Sequence, residues 1–395
     1  MGEDTVRLRV APVLFQYNTA PTEAVFYTDV GWYSDPLLAG LRPALAERDL
    51  APIGLDTPGG PDPWTQDFFD VAYVSKPGEG GEPVGMHVAV RAAQPDRAAG
   101  QIVNRYFLGP DFGSLFIHEP GGTDPYSHGY SMNSFGNWDV IPPHAAGDTV
   151  YPLGRHVFGA AKNPDERPDP VFEAFVRAQA VQPALEMDTS WLLVGHVDEY
   201  VQWVADPGPR GFRTLVADPA RAREMLLELQ AAGHADVPMF VGKSVYDFET
   251  EQEFPAEVTV AEVLADADRL AASEYAQTVI DEELVKLVAA TQLAPEEITS
   301  MPFLFEEVWG ALLAYQPGTV NLLHVDGLLV IADPFGPSID GVDPFKADLE
   351  TRLGDHGLEV YFADDWDLYH AAMGEVHCGT NVVRTMDQRW WESGR

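Results

Sequence analysis

The sequence predicts a mixed α/β fold in which strands and helices share one domain. Apolar, strand-like runs over 101–107, 191–195 and 237–242 alternate with helix-like segments. A hairpin, a helix and a strand then follow one another near the C-terminus. No low-complexity linker and no repeat of fixed period divides the 395 residues, so any repetition is expected in structure rather than in sequence.

The helices and turns have local causes. Residues 219–232 read as a helix, with Asp218 placed to cap it, leucines at helical spacing and Gly233 at the stop. Residues 260–292 read as one or two further helices. The runs 319–325 and 328–332 flank Asp326-Gly327, a pair suited to the left-handed backbone of a tight hairpin. With a helix over 346–353 and a strand over 358–362 they make a strand-strand-helix-strand unit. The Pro- and Gly-rich loops 57–63 and 76–85 are of the long kind that tends to carry function.

Composition narrows the function classes. Lys and Arg total 24 against 62 Asp and Glu, a net charge of -38. Phosphate binding needs clustered positive charge, so nucleic acid is not expected as a partner. Such a field attracts cationic substrates, although solubility or salt adaptation is the readier account of the acidity. No segment approaches the roughly 20 uninterrupted apolar residues of a membrane-spanning helix. The first nine residues lack the pattern of a secretory signal, so the cytoplasm is the default expectation. A single cysteine excludes any intramolecular disulfide.

That cysteine lies in one of four polar segments set beside apolar runs: 64–67 (Trp-Thr-Gln-Asp), 134–139 (Ser-Phe-Gly-Asn-Trp-Asp), 195–199 (Gly-His-Val-Asp-Glu) and 374–381 (Gly-Glu-Val-His-Cys-Gly-Thr-Asn). A thiol needs a cationic neighbour or a polarising environment to become a nucleophile; His377 is adjacent and His196 is a candidate partner for Cys378. The plain alternative is a small buried core residue. His196 and Asp198, two apart in an expected strand, project from one face with Glu199 opposite, either as a catalytic pair or as a salt bridge. Asp67 taken alone is an exposed loop carboxylate. Together, a cysteine, a histidine and two carboxylates suit chemistry on a planar cation, because carboxylates grip guanidinium through paired, charge-assisted hydrogen bonds.

These segments, with 8–12, 109–113 (Gly-Pro-Asp-Phe-Gly), 151–155 and 334–337, run in an order that resembles the protein-arginine deiminase family over nearly the whole chain. The resemblance implies a pentein fold, five strand-helix units arranged as a propeller around a central site, and a chain that corresponds to the catalytic part without the immunoglobulin-like domains of vertebrate members. It implies that Asp67 and Asp198 hold a substrate guanidinium, that Cys378 attacks its central carbon, and that His196 protonates departing ammonia and then activates water. The product is citrulline, formed through a covalent thiouronium in an arginine-containing protein or peptide. Trp64 is expected along the substrate methylenes and Arg97 on its backbone carbonyl. Further family arginines correspond to Pro95 and Ala372, so the peptide-binding rim differs. A calcium ion is expected between Gln66, Asp70, Asp139 and the carbonyls of Phe135 and Trp138, all oxygen donors. A second family calcium site falls on Phe68, Ala92 and Ala93 and is expected to be missing. Free arginine or agmatine remains an alternative substrate, and a non-catalytic calcium-binding module an alternative function. A thiol protease or transglutaminase also uses Cys and His, but the paired carboxylates argue against both.

Overall fold

The computed structural model describes residues 10–122, 124–125, 127–161, 163, 166–247 and 252–394; Leu8 and Arg9 of the first resembling segment lie outside them. Among the described residues, five separate sheets repeat one arrangement: a middle strand with an antiparallel neighbour on one side and a parallel neighbour on the other. In chain order the middle strands are Thr22–Thr28, Pro83–Arg91, Arg155–Ala160, Phe212–Ala217 and Leu328–Ala332. A parallel neighbour can be reached only by a crossover. Helices Asp35–Ala46, Pro170–Ala178 and Pro344–Gly354 supply three of them.

Several expected elements form as read. Asp218 caps helix Pro219–Ala231 by accepting from the Arg221 N–H, and Gly233 beyond its end is left-handed at φ +94°. The segment 260–292 divides at Asp266 into helices Val260–Ala265 and Ala267–Thr291. Asp326 and Gly327, at φ 49° and 82°, turn the hairpin between Leu323–Val325 and Leu328–Ala332.

The strand expected over 101–107 does not form. Asn104, Arg105 and Tyr106 are exposed in succession while Ile102, Val103 and Phe107 are buried, a helical rather than alternating pattern. The chain there makes a wide turn, Val103–Phe107, closed by Leu108 N–H on the Val103 carbonyl. Residues 191–195 make only an isolated bridge, Leu192 to Leu312, before left-handed Gly195 at φ +85° turns the chain away. Over 237–242 only Pro238–Met239 pairs, because Phe240 and Gly242 take positive φ. The first hairpin strand begins only at Leu323, since Asn321 N–H turns back onto the Gly318 carbonyl.

The largest core cluster joins Trp203, Leu215, Ile280, Leu287 and Leu329, all at 0–1 % exposure. Each such side chain contributes about 1.5–3 kcal/mol by burial. All six residues of Phe212–Ala217 and all five of Leu328–Ala332 are buried, as strands covered on both faces must be. No helix among the described residues is long and apolar enough to cross a membrane.

Candidate active site

The antiparallel flanking strands of the five sheets begin at Phe69, Trp138, Val201, Leu323 and Thr380. A polar turn stands immediately before each, and the five turns touch in a ring. The Gln66 N–H donates to the Cys378 carbonyl at 3.0 Å, and the Cys378 N–H to Asn321 Oδ1 at 3.2 Å. Asn321 Nδ2 reaches the Asp198 carbonyl at 3.4 Å. Gly136 packs against His196 and Asp198, and Gln66 Nε2 faces the Phe135 carbonyl at 3.5 Å. Segments more than 300 residues apart in sequence, such as 66 and 378, thereby meet.

The thiol of Cys378 is 5 % exposed. Burial, then the nearby carboxylates of Asp198 and Asp67, push it well above the ordinary thiol range, so the resting group is protonated. The side chain of His196 is 1 % exposed, with Nε2 lying 2.9 Å from the Ser131 carbonyl and 3.2 Å from Ser131 Oγ. A carbonyl only accepts, so Nε2 carries the hydrogen and Nδ1 is the nitrogen left for chemistry. Among the described residues Nδ1 has no hydrogen-bond partner, and it stands 3.9 Å from Asp67 Oδ1.

The expected strand bearing His196 and Asp198 is instead a short turn, Val197–Glu199, with His196 as its cap. Strand alternation therefore does not set the two side chains on one face, although both do reach the site. Glu199 does not point away; its Oε1 accepts the His196 backbone N–H at 2.7 Å. Asp198, fully buried, holds His377 Nδ1 at 2.7 Å. Burial opposes charge on His377, but that bond and the carboxylates of Asp198, Asp139 and Asp70 outweigh it, and its pKa is raised.

Asp67 is likewise engaged by an internal cation. Arg97 Nη1 sits 3.2 Å from Asp67 Oδ2, while Nε and Nη2 grip Asp62 at 2.7 and 2.8 Å. Burial raises the Asp67 pKa against the pull of Arg97. Arg97→Ala strands a buried carboxylate, so a loss of about 3 kcal/mol is expected, read as a lower Tm. The loss should be larger at pH 8 than at pH 5, where Asp67 can escape by taking a proton. Trp64 packs on Tyr369 at 5.7 Å between ring centroids, and a Cβ on Gly374 would strike its indole.

The residues expected around calcium also come together. Asp70, Asp139 and Gln66 line one cavity with Trp138, and burial lifts the Asp70 carboxyl to about 7 and that of Asp139 to about 6, each aspartate opposed by a further carboxylate. Among the described residues no cluster of three His, Cys, Asp or Glu is arranged for a metal. A cation there would rest on two carboxylates, the Gln66 amide and main-chain carbonyls. The donors are hard oxygens, and burial raises both carboxyls despite the nearby His377 and Arg384, so the set fits calcium. Gln66 need only turn its amide over, which changes no shape. Phe68, Ala92 and Ala93 are buried among apolar neighbours.

These raised carboxyls bind protons more tightly in the folded than in the unfolded chain. Their stabilisation is complete below the ordinary carboxylate range and is lost as pH rises through about 6 and 7. Without calcium, the Tm is expected to fall from about pH 5 to about pH 8, checked by scanning calorimetry across that window.

Residue type and spacing alone do not single out Asn321, Ser131 or Asp62. Asn321 carried a signal, being a polar residue just ahead of a flanking strand, as at the other four turns. Ser131 acts through its carbonyl, which leaves no trace in side-chain type.

A profile of the family described as protein-arginine deiminase (PAD) matches residues 1–392. The chain belongs to the protein-arginine deiminase family. It is 32% identical over 397 residues to Homo sapiens protein-arginine deiminase type-3, covering 98% of this chain and 56% of that one. Its likeness to Homo sapiens type-4 is 30% over 395 residues, with 98% and 56% covered. The chain thus spans little more than half the length of these deiminases. Among solved structures, the agmatine deiminase of Enterococcus faecalis superposes with a TM-score of 0.53 at 11% identity, over 95% of this chain and 96% of that one. A C. jejuni agmatine deiminase with substrate bound gives 0.50 at 9%, over 98% and 100%. At such identities the match establishes the shared mixed α/β fold.

Proposed function

We propose that residues 1–395 form a single catalytic domain of a protein-arginine deiminase, which hydrolyses peptidyl-arginine to peptidyl-citrulline and ammonia. The observation that carries this reading is the ring that gathers Asp67, His196, Asp198 and Cys378 from three distant turns. The five like units are proposed to surround that ring as a five-bladed propeller.

In this reading the substrate guanidinium enters between Asp67 and Asp198. Each carboxylate is already paired with a cation of the chain, Arg97 and His377 respectively, which makes the place chemically suited to a guanidinium and requires the substrate to displace or share those partners. The arriving positive charge offsets the two carboxylates that hold the thiol protonated, and Cys378 becomes thiolate as its proton passes to His196 Nδ1. The sulfur attacks the central carbon, and ammonia leaves with a proton from His196 Nδ1. The same nitrogen then takes a proton from water as the covalent thiouronium is hydrolysed. Trp64 lies along the methylene chain, and Arg97, once released from Asp67, reaches the substrate backbone carbonyl.

Calcium is proposed on Gln66, Asp70, Asp139 and the Phe135 and Trp138 carbonyls, where it would supply counter-charge that holds both aspartates ionised. Because Gln66 and Asp70 bracket Asp67, order in the one site favours order in the other. Ion and proton compete, so added calcium should raise the Tm more at pH 8 than at pH 5.5. Equal gains at both values would discard the assigned aspartates.

The test of the activity is citrulline release from a blocked arginine peptide with millimolar calcium and with chelator, beside free arginine and agmatine. Turnover of the peptide with calcium alone is the expected result. Faster turnover of agmatine or free arginine would move the substrate class to small guanidines, and no turnover of any would leave a binding module.

A further inference from the structure

A second group of buried titratable side chains lies beside Cys378, and the proposed chemistry does not use it. Glu375, on the same turn, is 4 % exposed and Asp365 is 1 % exposed. Glu375 Oε1 accepts from the Gly318 N–H at 2.8 Å and meets His370 Nδ1 at 2.9 Å. Its main-chain carbonyl accepts the Gly379 N–H at 3.1 Å, which closes the turn around Cys378. Asp365 binds the same region through its backbone, its carbonyl accepting from the Tyr369 and His370 N–H groups. Glu375, His370 and Cys378 line one chamber, so a shift of the glutamate is felt at the sulfur.

Taken as ionised, this group does not balance. Glu375 Oε2 and both oxygens of Asp365 are buried with no partner among the described residues, and each carboxyl group acts on the titration of the other. Two carboxylates can only repel there. One proton between them turns repulsion into a bond and gives two of the three orphan oxygens a partner.

We propose that Asp365, as a neutral acid, donates a shared proton to the Glu375 carboxylate, and that this pair, latched to His370, is the positioning device for the turn that carries Cys378. Burial favours a proton on the pair: it lifts Glu375 to about 8 and Asp365 well above its ordinary range, with the charge of Glu375 as a further cause at Asp365. The other charged groups facing the cluster do not supply a cation in its place. Glu306 faces His370 and is itself paired with Arg269, and Asp364 beside Asp365 holds Lys243. Trp366 covers the His370 ring at 4.6 Å. The shared proton is therefore what keeps Glu375 aimed at both His370 and Gly318, and raising the pH removes it.

Asp365→Asn separates positioning by a proton from simple packing, because the amide keeps the shape and a donor toward Glu375 but has no proton to lose. The infrared difference spectrum between wild type and D365N at neutral pH should show one protonated-carboxyl carbonyl band lost. In citrulline release, D365N should stay within about threefold of wild type near pH 7 and retain about tenfold more relative activity at pH 9, shifting the alkaline limb by about one unit. Alkylation of Cys378, the only thiol, gives a readout that does not need the deiminase reading. Asp365→Ala, which removes the donor, should speed alkylation about tenfold at pH 7, while D365N leaves it unchanged. An unchanged infrared band, or a D365N pH profile that superimposes on wild type, overturns the proposal. A wild type that makes no citrulline instead overturns the deiminase reading, and the infrared and alkylation results then decide this one.

Discussion

Cys378→Ala is expected to lower citrulline formation at least a thousandfold, about 4 kcal/mol of transition-state stabilisation, while leaving the Tm within a few degrees. The asymmetry follows from where the residue sits. Its contribution to structure is made by the backbone, whose N–H binds Asn321 and whose carbonyl accepts from Gln66, and alanine keeps both bonds. Its side chain is small, so little packing is lost. What disappears is the only thiol in the sequence. Serine should do no better than alanine, since a hydroxyl beside two carboxylates is far harder to ionise than a thiol. The assigned nucleophile fails if either variant keeps a tenth of wild-type turnover of the arginine peptide.

Gly136→Ala should cost about a hundredfold in kcat with a much smaller change in KM. A Cβ there would lie 2.7 Å from His196 Nδ1 and 3.0 Å from Asp198 Oδ2, closer than packed atoms approach. Neither neighbour can retreat freely, because His196 is tied to Ser131 and Asp198 to His377. The methyl group must displace the one ring nitrogen that is free for proton transfer. Displacement of about 1 Å is enough for such a loss when geometry, not affinity, limits the step. Steady-state kinetics on the arginine peptide check it; a purely higher KM would show that Gly136 shapes the entrance rather than the reacting groups.

Much of this arrangement was legible in the residues, and the parts that were not share a cause. Capping at Asp218, the Asp326-Gly327 turn and the buried strand 328–332 are local, so short-range rules suffice. The polar segments around 67, 137, 197 and 378 marked the site because polar residues beside apolar runs have few other reasons to be there. Failures came where tertiary contacts override spacing. His196 and Asp198 converge through a turn stapled by Glu199, not through strand alternation. The run 101–107 is apolar enough for a strand, but its buried residues lie on one side of a wide helical turn. The pairing of Arg97 with Asp67 joins two loops that no periodicity relates.

The ring of turns bears on how the protein is made. Its five members follow the order of the chain, and Cys378 is the last of them to be synthesised. The strand after it, Thr380–Arg384, must travel back to Thr22–Thr28, pairing Val382 with Val25 across nearly the whole sequence. Loop closure over that span adds only modestly to the entropy already lost in folding, but it cannot begin until residues 380–384 have been translated. A growing chain can therefore display Asp67, His196 and Asp198 while the one thiol of this sequence is still to be made.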